Sequence, residues 1–250
     1  MLALAALLSL LIGLVLGLLG GGGSMLTVPM LLYVLHVAPR SAIALSLLVI
    51  GATSAVGALL HARAGRLRLR TGLLFGAAGM VGAYAGGRVA HFLPPRLLLL
   101  LFALMMIATA IAMLRGRRGA AEESVTPGGE VPVLRVLLQG TTIGALTGLV
   151  GAGGGFLVVP ALTLLGGLAM GPAVGTSLLV IAMQSLAGFV SYVGHVPIDW
   201  SLAALVVGAS VIGIVIGGRL ADRVPQALLR KGFGWLVLGM AGFLIFKQLS

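Results

Sequence analysis

Apolar residues fill this chain in runs of about 20, interrupted by short clusters of Arg, Gly and Pro. That length is what a hydrocarbon core ~30 Å thick asks of a helix. A helix on the surface of a water-soluble protein shows a polar face with a 3.6-residue period, and these runs have almost none. Five segments are predicted before a polar middle stretch: a, Leu2–Leu19; b, Ser24–Val37; c, Arg40–Ala62; d, Thr71–Phe92; e, Arg96–Leu114. Segment a has no basic residue before it and no clear cleavage site, so it is expected to be a membrane helix and not a removed leader. Segment b is short, ~21 Å as a helix.

Between a and b stands Gly20-Gly21-Gly22-Gly23-Ser24, with Pro29 five positions on. Each Gly costs ~1 kcal/mol relative to Ala inside a helix, so the run predicts a break where a membrane would be. The break recurs as Gly151-Ala152-Gly153-Gly154-Gly155, followed by Pro160. At an offset of 131, ten of the eighteen positions Ile12–Pro29 match Ile143–Pro160. The register continues without gaps through Ser46-Leu47-Leu48-Val49-Ile50 and Ser177-Leu178-Leu179-Val180-Ile181, then through Gly86-Gly87-Arg88 and Gly217-Gly218-Arg219. An internal repeat of this length means two structural halves. The chain divides into a first membrane repeat, 1–114, a linker expected to be cytoplasmic, 115–134, and a second membrane repeat, 135–250.

Composition narrows the class. The chain is 60% hydrophobic and 8% charged, against about 25% charged residues in soluble domains. An all-α polytopic membrane protein follows. The net charge of +11 sits in short loops and helix ends, with no aromatic-interleaved basic patch. It therefore reports membrane orientation and not a nucleic-acid partner. There is no cysteine, hence no disulfide or thiolate site.

The basic loops exchange places between the halves. In the first half the c–d loop carries Arg63, Arg66, Arg68 and Arg70. Its counterpart, Gly194–Asp199, has no Arg or Lys, and the second half is basic instead at Arg219, Arg223, Arg230 and Lys231. Swapped basic loops are the signature of inverted-topology repeats. Each half then crosses an odd number of times: five, or three if a and b form a re-entrant hairpin. Both counts put the termini outside the cytoplasm. Parallel repeats of four spans are the alternative.

Non-helical backbone survives in a bilayer only where protein or water covers it, so the two breaks should face inward. The residues after each break start a new helix, whose unpaired amides and positive dipole end favour anions. Two starts would make a pseudo-symmetric anion site. The plainer reading of glycine, close helix packing, is preferred for Gly13, Gly17, Gly144 and Gly148. Ser24, Ser46 and Ser177 can offer hydroxyls to an anion or bond their own backbone. Gln184, mid-segment in the second c, is a further candidate because an intramembrane Gln needs partners. Arg88 and Arg219 read as interface anchors. The four histidines show no ligand spacing, so no metal is expected. All five acidic residues fall in loops or at helix ends, which leaves nothing for a buried proton relay. The glycine runs are neither a phosphate-binding loop nor a dinucleotide fingerprint. With no catalytic constellation, neither an enzyme nor a cofactor is expected.

The duplicated pattern Gly-x3-Gly-x2-Gly-x-Gly-Gly-(Gly/Ser)-x4-Pro, the Ser-Leu-Leu stretch of segment c and the Gly-Gly-Arg end of segment d resemble the sulfite exporter TauE/SafE family over nearly the whole chain. The resemblance implies an inner-membrane permease of a bacterium or archaeon for small sulfur-containing or organic anions, such as sulfite or sulfonates. It carries substrate contact onto Gly20, Gly22, Gly23, Ser24 and Pro29, and onto Gly151, Gly153, Gly154, Gly155 and Pro160. Ser24 departs from the full glycine run. The expected partners are a small anion and the lipid bilayer, and a homodimer is left open. An anion channel and a non-transporting scaffold are the other two readings.

Overall fold

The computed structural model describes residues 2–90, 95–115, 133–150, 155–190, 196–221 and 223–249. Every regular element among them is helical. The first half contains α1 (Leu2–Leu19), α2 (Ser24–Pro29) running into a π-helical turn (Met30–Val34), α3 (Pro39–Arg63), α4 (Leu69–Ala90) and α5 (Pro95–Arg115). The second contains α6 (Val133–Val150), α7 (Gly155–Pro160) with its π turn (Ala161–Leu165), α8 (Met170–Val190), α9 (Trp200–Ala221) and α10 (Gln226–Leu249). The expected bounds agree to one or two residues for segments a, c and e and for the start of d; the expected end of d, Phe92, lies outside the described residues. Segment b stops three residues early, at Val34.

The early stop has a backbone cause. Proline donates no N–H, and past Pro29 the turn widens, so that Leu35 N–H donates to the Met30 carbonyl at 3.2 Å. The second half does the same past Pro160, with Gly166 N–H on the Ala161 carbonyl at 2.9 Å. A left-handed residue then closes each arm: His36 at φ 53° and Gly167 at φ 68°, positions equivalent at the 131-residue offset. Such wide turns inside helices concentrate at functional sites.

The halves interlock. α1 packs on α9 and α4 on α6, which is one pairing seen twice with the halves exchanged; α3 packs on α8 and α5 on α10. A methyl at Gly13 would overlap the Ser210 carbonyl, and one at Gly17, a turn further along, would meet the Ile214 carbonyl, so α1 and α9 run parallel with their backbones in contact. Gly144 against Gly79 makes the matching approach between α6 and α4. Small residues let helices meet this closely where no hydrophobic effect drives them together. The packing expected of Gly13, Gly17 and Gly144 is what these residues do.

α3 and α8, the equivalent long helices, run antiparallel: Gly57 faces Leu178, Gly51 faces Leu186 and Gly175 faces His61. α5 and α10 also oppose, with Leu114 against Gly234. The core repeats accordingly. Leu31, Ala42 and Val49 cluster with Val206, while their counterparts Leu162, Ala173 and Val180 cluster with Phe75. A larger cluster with Leu16, Leu178, Ile214 and Phe233 joins the halves.

The outside is apolar. Leu2, Leu104, Val81, Val190 and Leu228 are exposed, far more greasy surface than a water-soluble monomer shows. Four described helices, α1, α3, α8 and α9, are long and apolar enough to cross a membrane. Arg88 lies over the ring of exposed Tyr84, 5.9 Å from its centroid. That is the posture of an interface anchor.

Candidate functional site

The hairpin formed by α1 and α2 turns at Gly20–Gly23. Gly20 takes φ 76°, a left-handed conformation that costs a side-chain-bearing residue ~1–2 kcal/mol. After it the arm folds back on α1, where a Cβ at Gly23 would stand 2.5 Å from the Ile12 carbonyl oxygen. Gly22 has a different reason to be small: its Cβ would meet Leu236 Cδ2 at 2.6 Å. Among the described residues the amides of Gly21, Gly22 and Gly23 donate no hydrogen bond.

The tip of this hairpin reaches the other half. A Cβ on Gly20 would lie 2.9 Å from Ser177 Oγ and 3.0 Å from Val174 Cα, both on α8. One built on Gly155, the first residue of α7, would lie 2.9 Å from Ser24 Oγ and 3.1 Å from Ile181 Cδ1. Ser24 and Gly155 are equivalent in the repeat. The two post-break helix starts therefore meet, buried, beside the middle of α8. Gly20, Gly22, Gly23, Ser24, Gly155 and Ser177 are gathered within this region. Gly151, Gly153 and Gly154 lie outside the described residues.

The other candidates are placed by backbone geometry or by their helix face. Pro29 and Pro160 set the π turns below each helix start. Ser46 on α3 is the equivalent of Ser177, and the two make the same hydrogen bond: Ser46 Oγ donates to the Ile43 carbonyl and Ser177 Oγ to the Val174 carbonyl, both at 2.8 Å. Ser24 Oγ donates to the Gly21 carbonyl at 2.7 Å. Each serine thus spends its proton on its own backbone, and handing it to an anion requires a rotation costing ~1 kcal/mol. Gln184 is half-buried beside Gly79 of α4, one turn along α8 from the Ile181 that touches Gly155.

Two hydroxyls stand out that sequence reasoning did not select. Thr53 Oγ1 and Ser54 Oγ, 1% and 0% exposed, have no hydrogen-bond partner among the described residues. They lie one turn along α3 from Ile50, the equivalent of the Ile181 that touches Gly155, and share that face with Ser46. A buried hydroxyl left unpaired costs ~1–3 kcal/mol. Their match with Gln184-Ser185 is a polar pair inside an apolar run, and that was the available signal.

Electrostatics divides the bundle into two ends. Leu18, Arg66 and Leu229 line one cavity, so the end of α1, the α3–α4 loop and the start of α10 share an end. His61 and Arg66 of the first half and Ala221, Val224 and Leu229 of the second line this cavity together, so parts of both basic stretches lie at one end. Asp199 caps α9, its Oδ1 accepting from the Ser201 and Leu202 amides at 3.0 Å; this satisfies two helix-start donors. Glu122, Glu123, Glu130 and Asp222 lie outside the described residues. No group of His, Asp and Glu able to hold a metal ion occurs among the described residues.

The chain belongs to the sulfite exporter TauE/SafE family, whose model matches residues 5–244. It is 35% identical over 247 residues to a probable membrane transporter protein of Xylella fastidiosa strain 9a5c, covering 95% of this chain and 92% of that one. The probable membrane transporter protein YdhB of Bacillus subtilis is 28% identical over 236 residues, covering 94% and 96%. A probable membrane transporter protein of Methanocaldococcus jannaschii is 26% identical over 261 residues, covering 92% and 93%. No solved structure matches the chain significantly. Family and fold together make this a multi-pass membrane transporter.

Proposed function

We propose that the protein is a secondary permease of the inner membrane that moves a small anion, sulfite or a sulfonate, by alternating access of two inverted halves. The observation that carries this reading is the meeting of Ser24 with Gly155. Two equivalent helix starts, from interrupted segments in the two halves, face each other in the middle of the bundle. Discontinuous helices at equivalent positions are where secondary transporters hold their substrates. The glycine turn ahead of α2 supplies the amides of Gly21, Gly22 and Gly23, and the adjacent serine and threonine hydroxyls supply rotatable donors. No fixed cation is needed in the membrane interior.

The antiparallel α3–α8 pair supports inversion, since a two-fold axis across the bundle exchanges its two ends and so lies in the membrane plane. Two packings related by that axis give two nearly equivalent states, open to opposite sides. The shared basic end marks the cytoplasmic face. In this orientation α1 begins and α10 finishes on the far side, each first half-segment α1–α2 is a hairpin that returns, and three full crossings follow in each half.

Potential alone can drive the anion outward. One negative charge leaving a negative cytoplasm gains ~2.3 kcal/mol per 100 mV. The screen that tests the substrate class is thermal stabilisation of the purified protein by sulfite, thiosulfate, sulfoacetate, taurine and sulfate. A ligand that binds the folded state and not the unfolded one raises the melting temperature by mass action. Stabilisation by one of the first three, above the sulfate response, is the expected result; none from any of the five sinks the proposed substrate class.

A further inference from the structure

The basic end of the bundle contains a cavity of about 210 Å³. Leu18 and Val174 are among its lining residues. Val174 Cα is also the atom 3.0 Å from a Cβ position on Gly20, so one lining residue of the cavity also packs against the hairpin turn. Arg66 stands in the wall, with its Cδ 3.8 Å from where Gly171 would carry a Cβ. His61, 5% exposed, lines the same space. The first turn of the 21-residue helix α8 borders it too, with no acidic residue. No acidic side chain lines the cavity among the described residues. A fixed cation and a positive helix end, in a pocket walled by Leu18, Val174 and Leu229, suit an anion that also carries hydrocarbon.

The opposite end is built differently. The repeat equivalents of Arg66 and His61 are Pro197 and Tyr192, and Gly171 corresponds to Arg40, which is exposed. Among the described residues, the position equivalent to Arg66 carries no cation, and the opposite end has Arg40 on its helix start instead.

We propose that this cavity is a one-sided capture site for an organic monoanion, a sulfonate or carboxylate bearing a short apolar group, lying between the basic face and the hairpin tip. It rests on the permease reading for its place in a transport path, but its anion preference is measurable without transport. A lipid phosphate offers related chemistry, and the experiment separates the two sources.

The chain has no cysteine, so one introduced thiol is unique. Gly171→Cys puts it in the cavity at ordinary contact distance from Arg66, and Ala64→Cys puts a reference thiol on the exposed loop. Labelling rates are compared in detergent for an anionic sulfonatoethyl and a cationic trimethylammonioethyl methanethiosulfonate. The anionic-to-cationic ratio in the Gly171→Cys variant is expected to exceed that of Ala64→Cys roughly 10-fold, the lower range for field focusing in a cleft. Adding Arg66→Gln should remove the excess and Arg66→Lys should keep it, while millimolar 1-butanesulfonate should slow labelling only at position 171. Equal ratios at the two positions, an unchanged ratio after Arg66→Gln, or no protection by butanesulfonate would overturn the proposal. Protection that requires added phosphatidylglycerol would assign the cavity to lipid and overturn it as well. A chain that shows the preference but moves no anion in liposomes contradicts the permease reading alone.

Discussion

A Cβ on Gly155 would stand 2.9 Å from the hydroxyl oxygen of Ser24, and these two residues occupy the same position in the two repeats. One half thus presents a serine where the other presents only backbone, and the space between them holds one side chain. Gly155→Ser fills that space twice. Overpacking of this kind costs ~1–3 kcal/mol, and transport is expected to fall at least ~10-fold by the same conversion. Adding Ser24→Gly moves the serine across the pseudo-axis and should recover most of the rate. A double variant as inactive as the single one would show that the pair does not share a site.

The glycines of the hairpin should rank by what their missing side chains would meet. Gly20→Ala combines a left-handed φ with contacts to Val174 and Ser177, and Gly23→Ala drives a methyl against the Ile12 carbonyl. Gly22→Ala meets the end of a flexible leucine. Melting temperatures should therefore fall clearly for the first two, by the equivalent of ~2–3 kcal/mol, and much less for the third. Equal losses at all three positions would contradict the packing described.

Helix contacts make a second ranking. Gly13→Ala strikes the Ser210 backbone, whereas Gly208→Ala, on the same helix pair, meets nothing within 4 Å. The first should destabilise by ~1–3 kcal/mol; the second should be neutral or stabilising by up to ~1 kcal/mol through helix propensity. Thermal unfolding in detergent reads both.

Thr53 and Ser54 separate stability from function. If their unpaired hydroxyls wait for substrate, Thr53→Val keeps the shape and removes a buried orphan donor. Stability should hold or rise by ~1 kcal/mol while flux falls several-fold. A variant that loses stability and keeps its flux would mark Thr53 as structural.

Much of the fold was legible because the bilayer asks for length and apolarity, and both are local properties of sequence. α1 ends at Leu19 as expected, since Gly20 must turn left-handed to leave it. The repeat was legible too, and parts of the basic stretches at 63–70 and 219–231 do share an end. What stayed hidden was which face packs against what. Lipid-facing Leu104 and core-facing Leu178 are equally apolar, so periodicity cannot sort them. The crossed pairing of α1 with α9 depends on Gly13 meeting Ser210, 197 positions away. The π turns were missed because Pro29 announces a lost donor but not the wider ring that follows. Gln184 was singled out for its polarity alone, and its place beside Gly79 is a fact of helix rotation that no run of residues displays.

The central claim, that this chain carries an anion by alternating access, is tested most directly by counterflow. Liposomes containing the purified protein are loaded with unlabelled anion and diluted into a trace of the labelled form, for sulfite and for a short alkyl sulfonate in turn. A carrier predicts a transient rise of label inside above its equilibrium level for at least one of them, abolished in Gly155→Ser and restored when Ser24→Gly is added. Label that only relaxes to equilibrium with both anions, with or without unitary currents across a planar bilayer, would contradict it.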